Sequence, residues 1–228
     1  MSEENKKWVV ILIGPPGSGK GTQAEMLAEK FGLVHLESSK VIEEKIKNAD
    51  PENQTLLEEK RKWESGQLNT PKLVRRWIIE KIEELALLGK SIVFSGSPRT
   101  IFEAEGEISE LERSYGKENI KVIHLDLGEH GSVKRNSSRR ICEKNRHPIP
   151  NFPEYENITQ CPKDGSGIIR RVLDNLETVK VRYQVYLKET KPVLDLFEDK
   201  GYRIIEINAD QFIEKVFKDI LEQLDDKN

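Results

Sequence analysis

The sequence predicts an α/β fold, a mostly parallel five-stranded sheet with helices on both faces. Three observations predict it. Five short apolar runs recur: WVVILIG (8–14), LVHL (33–36), SIVFSG (91–96), KVIHLDL (121–127) and YRIIEIN (202–208). They read as continuous rather than alternating, the pattern of strands covered on both sides. Segments with helical spacing separate them, and strand–helix alternation of this kind builds parallel sheets. Finally, the first run leads straight into a glycine-rich turn, GPPGSGKGT (14–22).

Each element has its own local signals. After the first strand and its turn, TQAEMLAEKFG (22–32) carries helical spacing and stops at a glycine. The strand LVHL follows, and then 38–67, a helical and very polar stretch that contains no strand. TPKLVRRWIIEKIEELALLG (70–89) opens with Thr-Pro and closes with Gly89, so both ends carry helix signals. The third strand ends in SGSPRT (95–100), and a lone arginine where a buried strand surfaces marks a ligand site. Past the fourth strand, 141–169 is rich in Pro, Asn and Gly with no helical period, long enough to be functional or to fold as its own small lobe. RVLDNLETVKVRYQVYLKETKPVLDLFEDKG (171–201) is helical, and Pro192 is expected to kink or break it. The last strand precedes a helix over about 210–224.

Composition bounds the function. Among 228 residues, 34% are charged, yet the formal net charge is only −3, so nothing global attracts nucleic acid or an acidic membrane. No apolar run approaches the roughly 20 residues that cross a bilayer, and the N-terminus lacks a signal-peptide pattern. Two cysteines, Cys142 and Cys161, are too few for a disulfide framework. The expectation is a cytoplasmic protein, acting as a monomer, with neither nucleic acid nor membrane as partner.

GPPGSGKGT fits the nucleotide-binding P-loop, glycine, four residues, then Gly-Lys, with Gly21 inserted before Thr22. Glycines 14, 17, 19 and 21 let the backbone curl so that several N–H groups, with that of Ser18, face one anion. Lys20 adds a mobile charge for the β- and γ-phosphates, and the following helix aims its positive end at them. Gly14, Gly17, Ser18, Gly19, Lys20, Gly21 and Thr22 are therefore candidates for holding ATP.

With its second proline and GKGTQ (19–23), this stretch resembles the adenylate kinases and their nucleoside monophosphate kinase relatives. Four further stretches resemble that family in order: SGQLNTPKLV (65–74), SGSPRT (95–100, against Asp-Gly-Phe-Pro-Arg-Thr), KRNSSRR (134–140) and RRVLDNLETVKVR (170–182). The resemblance implies a P-loop three-layer core (1–37, 68–140, 170–228) with two mobile inserts, a monophosphate-binding lobe at 38–67 and a lid at 141–169. It implies transfer of the γ-phosphoryl of Mg2+-ATP to a nucleoside monophosphate, AMP by family. Such catalysis is positioning plus electrostatic stabilisation, and arginine suits it because its planar fork grips phosphate and stays charged. Matched residue by residue, Arg139, Arg171 and Arg182 would surround the transferring group with Lys20. Arg135 would stack on the donor base, Arg99 would hold the acceptor phosphate, and Asp174 would orient neighbouring arginines. Ser38, Gly66, Leu68, Gly96 and position 103 would line the acceptor site.

Three positions depart from the family. Its phosphate-binding arginine is Glu43 here, with Lys40 the nearby substitute; the aspartate that orders magnesium's water shell is Ser95; and the glutamine that reads adenine is Glu103. An ionised carboxylate only accepts hydrogen bonds, so Glu103 suits guanine or a cytosine amino group better than adenine. The acceptor therefore divides between AMP and GMP or a pyrimidine monophosphate. A nucleotide-binding sensor or interaction protein without catalysis is a third reading.

In the lid, Cys142, His147, Cys161 and Asp164 fall at C-x4-H-x13-C-x2-D. Structural zinc takes four N, S or O ligands in a tetrahedron, and a loop poor in apolar residues needs such a staple. Some members of the resembled family hold their lid this way, commonly with four cysteines or three and a carboxylate. Here Asn145 stands at the usual second-cysteine spacing, and a zinc bound by the four residues named is the expectation.

Overall fold

Five parallel strands run in the order β2-β3-β1-β4-β8: β1 (Val9–Ile13), β2 (Val34–Glu37), β3 (Ile92–Ser95), β4 (Ile120–Asp126) and β8 (Ile204–Asn208). The computed structural model describes residues 7–47, 50, 52–65, 67–137, 139–145, 147–149, 155–170 and 175–225. Gly66, Arg171 and Asp174 lie outside the described residues.

Successive residues of β1 feed opposite cores, which explains why its sequence does not alternate. Val9, Ile11 and Ile13 join Ile92, Phe94 and Val122 in one apolar cluster, whereas Val10 and Leu12 join Val93, Ile123 and Leu125 in the other. The first cluster packs under α2 (Ser38–Lys47), α4 (Pro71–Leu87), α5 (Ile101–Tyr115) and α8 (Pro192–Asp199). The second packs under α1 (Lys20–Phe31) and α9 (Ile213–Asp225). Burying each large aliphatic side chain in such a layer stabilises the fold by about 1.5–3 kcal/mol.

The long helical run near the C-terminus divides where Pro192 predicts. α7 (Leu176–Val185) passes into a π-helical turn at Tyr186–Thr190, and α8 begins at Pro192, where a missing N–H costs nothing. Polar 38–67 folds as α2 and α3 (Gln54–Ser65). After α6 (Glu129–Ser137), the segment rich in Pro and Asn forms a separate antiparallel sheet, β6-β5-β7, from β5 (Arg140–Cys142), β6 (Pro148–Ile149) and β7 (Ile168–Arg170). Its small core is Cys142, Ile149 and Cys161. Among the described residues no helix is long and apolar enough to cross a membrane.

Candidate active site

A cleft of about 2020 Å3 opens at the carboxyl ends of the parallel strands. Gly14, Gly17, Ser18, Gly19, Lys20, Gly21 and Thr22 all line it. Gly17 has φ 80°, and a Cβ there would lie 2.5 Å from the Asn136 amide nitrogen, so a side chain is excluded on two counts. Ser132 in α6 braces the turn from behind by donating to the Pro16 carbonyl at 2.6 Å. α1 starts at Lys20 with Gly19 as its cap, which supplies no side-chain acceptor, so the helix presents its first amides to the cleft.

Lys20 donates to the carbonyls of Gly14 (2.7 Å) and Pro15 (2.8 Å), which holds its ammonium over the turn. Burial first, then the charges of Arg99, Arg182 and Arg139, bring its pKa down to about 7. Arg99 follows β3, Arg139 precedes the small sheet, and Arg182 lies on α7. The fold thus brings four cations from distant parts of the sequence to one place. Such a cluster is suited to a polyanion. On the outer side Arg135 lines the cleft, donating to the Gln211 carbonyl at 3.0 Å and lying 3.9 Å from Asp210.

The Arg99 side of the cleft is lined by Ser38, Leu68 and Gly96, together with Trp63. Arg99 Nε and Ser38 Oγ both donate to the Gly96 carbonyl at 2.7 Å, and Thr190 in the π-turn donates to the Arg99 carbonyl at 2.9 Å. Gly96 adopts φ 87°, with the Ser38 hydroxyl only 2.8 Å from where a Cβ would sit. Glu103 does not line the cleft. Its carboxylate accepts the Arg99 backbone N–H at 2.7 Å, while its own N–H donates to the Thr100 side chain at 3.2 Å. That is a capping arrangement, and its signal, Thr-x-x-Glu at 100–103, is legible in the sequence. Lys40 is exposed, paired with Glu37 at 3.5 Å, and neither it nor Glu43 lines the cleft. Ser95 is buried and shares a 2.6 Å hydrogen bond with His35, so β3 offers no carboxylate. Glu37, its register partner on β2, does line the cleft.

Sequence reasoning missed a buried hub at the base of α3. Glu59 accepts from Asn69 Nδ2 (2.9 Å), Thr70 N (2.8 Å), Thr70 Oγ1 (2.5 Å) and Lys62 Nζ (2.9 Å). It therefore ties α3 to the first turn of α4. Burial alone would raise its pKa, but the bonds from Thr70, Lys62 and Asn69 outweigh burial and hold it at about 2.

In the small sheet, Cys142, His147, Cys161 and Asp164 bring four ligand atoms within 4.8 Å of one another. His147 Nδ1 is 3.5 Å from each sulfur and 3.2 Å from Asp164 Oδ2, which is 3.4 Å from Cys142 Sγ. A tetrahedron built on zinc bond lengths has edges of roughly 3.3–3.6 Å between unlike ligands. The N–H groups of Asn145 and His147 point at Cys142 Sγ at 3.3 and 3.2 Å, an arrangement that supports a sulfur ligand to a metal. Asn145 also donates to Asp164 Oδ2 at 2.8 Å, so the residue in the second-cysteine position orients a ligand. The four residues fit zinc. The sheet is tied to α1 by Lys163 and Glu25 at 2.8 Å.

With this geometry in hand, comparison with known proteins gives a consistent result. The family model described as adenylate kinase matches residues 12–202. The chain belongs to the adenylate kinase family. It is a phosphotransferase. It is 37% identical over 223 residues to the adenylate kinase of Oceanobacillus iheyensis, covering 96% of this chain and 99% of that one. Adenylate kinases of Bacillus subtilis (32% over 218 residues; 94% and 97% covered) and Chlamydia trachomatis serovar D (34% over 227; 94% and 89%) are similar along nearly their whole length.

Proposed function

We propose that this chain transfers the γ-phosphoryl group of ATP to AMP, giving two ADP. The observation that carries the reading is the convergence of Lys20, Arg99, Arg139 and Arg182 on one cleft at the P-loop. Their placement suits charge developing on a phosphoryl group in flight between two nucleotides. An α-phosphate oxygen of AMP bonds to Pγ as the bond from Pγ to the ADP oxygen breaks. Lys20 and the P-loop amides hold the donor phosphates, Arg135 flanks the donor base, and Arg99 holds the acceptor phosphate. Arg139 and Arg182, with Arg171 by family match, surround the transferring group. The Glu103 carboxylate accepts the Arg99 backbone N–H, a role other than base reading, which supports AMP, the substrate the relatives' names imply, over a guanine or cytosine nucleotide.

Magnesium, when bound, neutralises phosphate charge; Thr22 and the Glu37 carboxylate are the cleft groups suited to it and its water shell. We assign residues 38–67 as the acceptor lobe and 141–169 as a lid on a core of 1–37, 68–140 and 170–228. Zinc held by Cys142, His147, Cys161 and Asp164 would staple that lid and keep Arg139 and Arg140 at its hinge in register. Lid closure excludes water that would otherwise hydrolyse ATP. Initial rates of ADP formation with Mg-ATP and AMP, GMP, CMP or UMP test the reading. AMP is expected to be preferred; preference for GMP would restore a base-reading role for Glu103, and turnover with none would sink the kinase assignment.

A further inference from the structure

Glu107 is 1% exposed, and no part of the reaction uses it. Its Oε1 accepts the Ser97 hydroxyl at 2.6 Å, while its Oε2 is buried with no hydrogen-bond partner. One turn earlier on the same helix sits Glu103, 4% exposed and committed to Arg99 N. The cation facing Glu107 is Arg75 on α4. Its guanidinium is engaged elsewhere, 3.7 Å from the Phe102 ring centroid and donating to the Phe102 carbonyl at 3.3 Å. A bare anionic oxygen, sealed in protein and beside a second carboxylate, is far costlier than a neutral acid in the same place.

We propose that Glu107 is a positioning residue for the acceptor: as a neutral carboxylic acid it anchors Ser97 and so fixes the loop that presents Arg99. The proposal rests on the reading of Arg99 as the acceptor's phosphate ligand. Burial first, then the charge of Glu103, pushes the Glu107 carboxyl well above the ordinary range, in agreement with the geometry. Where the resembled motif carries phenylalanine, this chain carries Ser97, whose hydroxyl in a 2% exposed setting needs an acceptor. Glu107 supplies it. The loop is then held at Gly96 by Ser38, at Ser97 by Glu107, at Arg99 N by Glu103 and at Arg99 O by Thr190. Of these anchors, Glu107 bonds to the side chain immediately before Pro98-Arg99 and lies outside the cleft lining.

The test is equilibrium binding of AMP and, separately, of ATP to full-length wild type, Glu107→Gln, Glu107→Leu and Ser97→Ala at neutral pH. An infrared difference spectrum of wild type against Glu107→Gln accompanies it. Glutamine reproduces the neutral acid and is expected to leave both affinities unchanged. Leucine at 107 and alanine at 97 are each expected to weaken AMP about tenfold with ATP unaffected, the size of one lost buried hydrogen bond at the loop. The infrared difference is expected to show loss of a protonated carboxyl band. Wild-type AMP affinity in Glu107→Leu, an equal loss of ATP affinity, or loss of an ionised carboxylate band would each overturn the proposal. Wild type that binds ATP but no AMP would overturn the acceptor reading of Arg99 and the positioning role with it. The infrared result would still report the charge state of Glu107.

Discussion

The Glu103 carboxylate accepts the backbone N–H of Arg99 at 2.7 Å, so it fixes the backbone of the residue proposed to hold the acceptor phosphate. With Thr100 accepting the Glu103 N–H at 3.2 Å, this caps α5 and fixes the exit from β3.

The cap predicts the behaviour of two variants. Glu103→Ala should lower stability by about 0.5–2 kcal/mol, the worth of a helix cap, and raise the acceptor KM. Glu103→Gln should keep the acceptor oxygen and leave the preference among monophosphates unchanged. Denaturant titration and acceptor kinetics check both; a shift toward AMP in Glu103→Gln would show that the side chain touches the base.

Glu59 predicts an acid-labile junction between α3 and α4. Its folded pKa of about 2 lies below the ordinary 4.5. A depressed carboxylate contributes stability that is fully present above the unfolded value and lost as pH falls through the folded one. The loss should therefore fall between about pH 4.5 and pH 2. Glu59→Gln, which turns an acceptor into a donor facing Thr70 and Asn69, should cost about 1–3 kcal/mol at neutral pH. It should also flatten the acid limb of a denaturant-derived stability curve.

For Lys20, a pKa of about 7 in the absence of phosphate predicts proton uptake when ATP binds. Phosphate favours the charged ammonium, so uptake should be small at pH 6, grow through pH 7 and approach one proton at higher pH, while ATP affinity falls. Calorimetry in buffers of different ionisation enthalpy measures it. Lys20→Met should abolish the uptake and lower kcat by roughly 100- to 1000-fold, as removal of a preorganised charge does.

The metal cluster predicts one zinc per chain in freshly purified protein. Cys161→Ser should lower the metal content, and both the variant and chelator treatment should lower the melting temperature. Elemental analysis beside a thermal melt checks this; metal-free protein with an unchanged melt would reject the site.

What was legible in the sequence follows physical locality. β1 and the P-loop could be read directly because a strand buried on both faces and a phosphate turn are each encoded by contiguous residues. The clustering of Cys142, His147, Cys161 and Asp164 was legible from their spacing, because all four fall within one short segment. α5 was not marked out, because buried glutamates at 103, 107 and 110 interrupt the apolar stripe that would announce a helix face. The Glu59–Thr70 and Ser97–Glu107 bonds were also hidden, since each depends on which residues the fold brings together. At Glu103 the carboxylate accepts a hydrogen bond, as inferred from its chemistry, and the donor is the backbone N–H of Arg99, a partner only the fold reveals.

The most direct test of the central claim is the product balance when purified protein is given Mg-ATP with and without AMP. Phosphoryl transfer between nucleotides predicts two ADP formed for each ATP consumed, no free phosphate, and intact ATP when AMP is absent. Phosphate release that is indifferent to AMP, or ATP that is bound and never consumed, would contradict it.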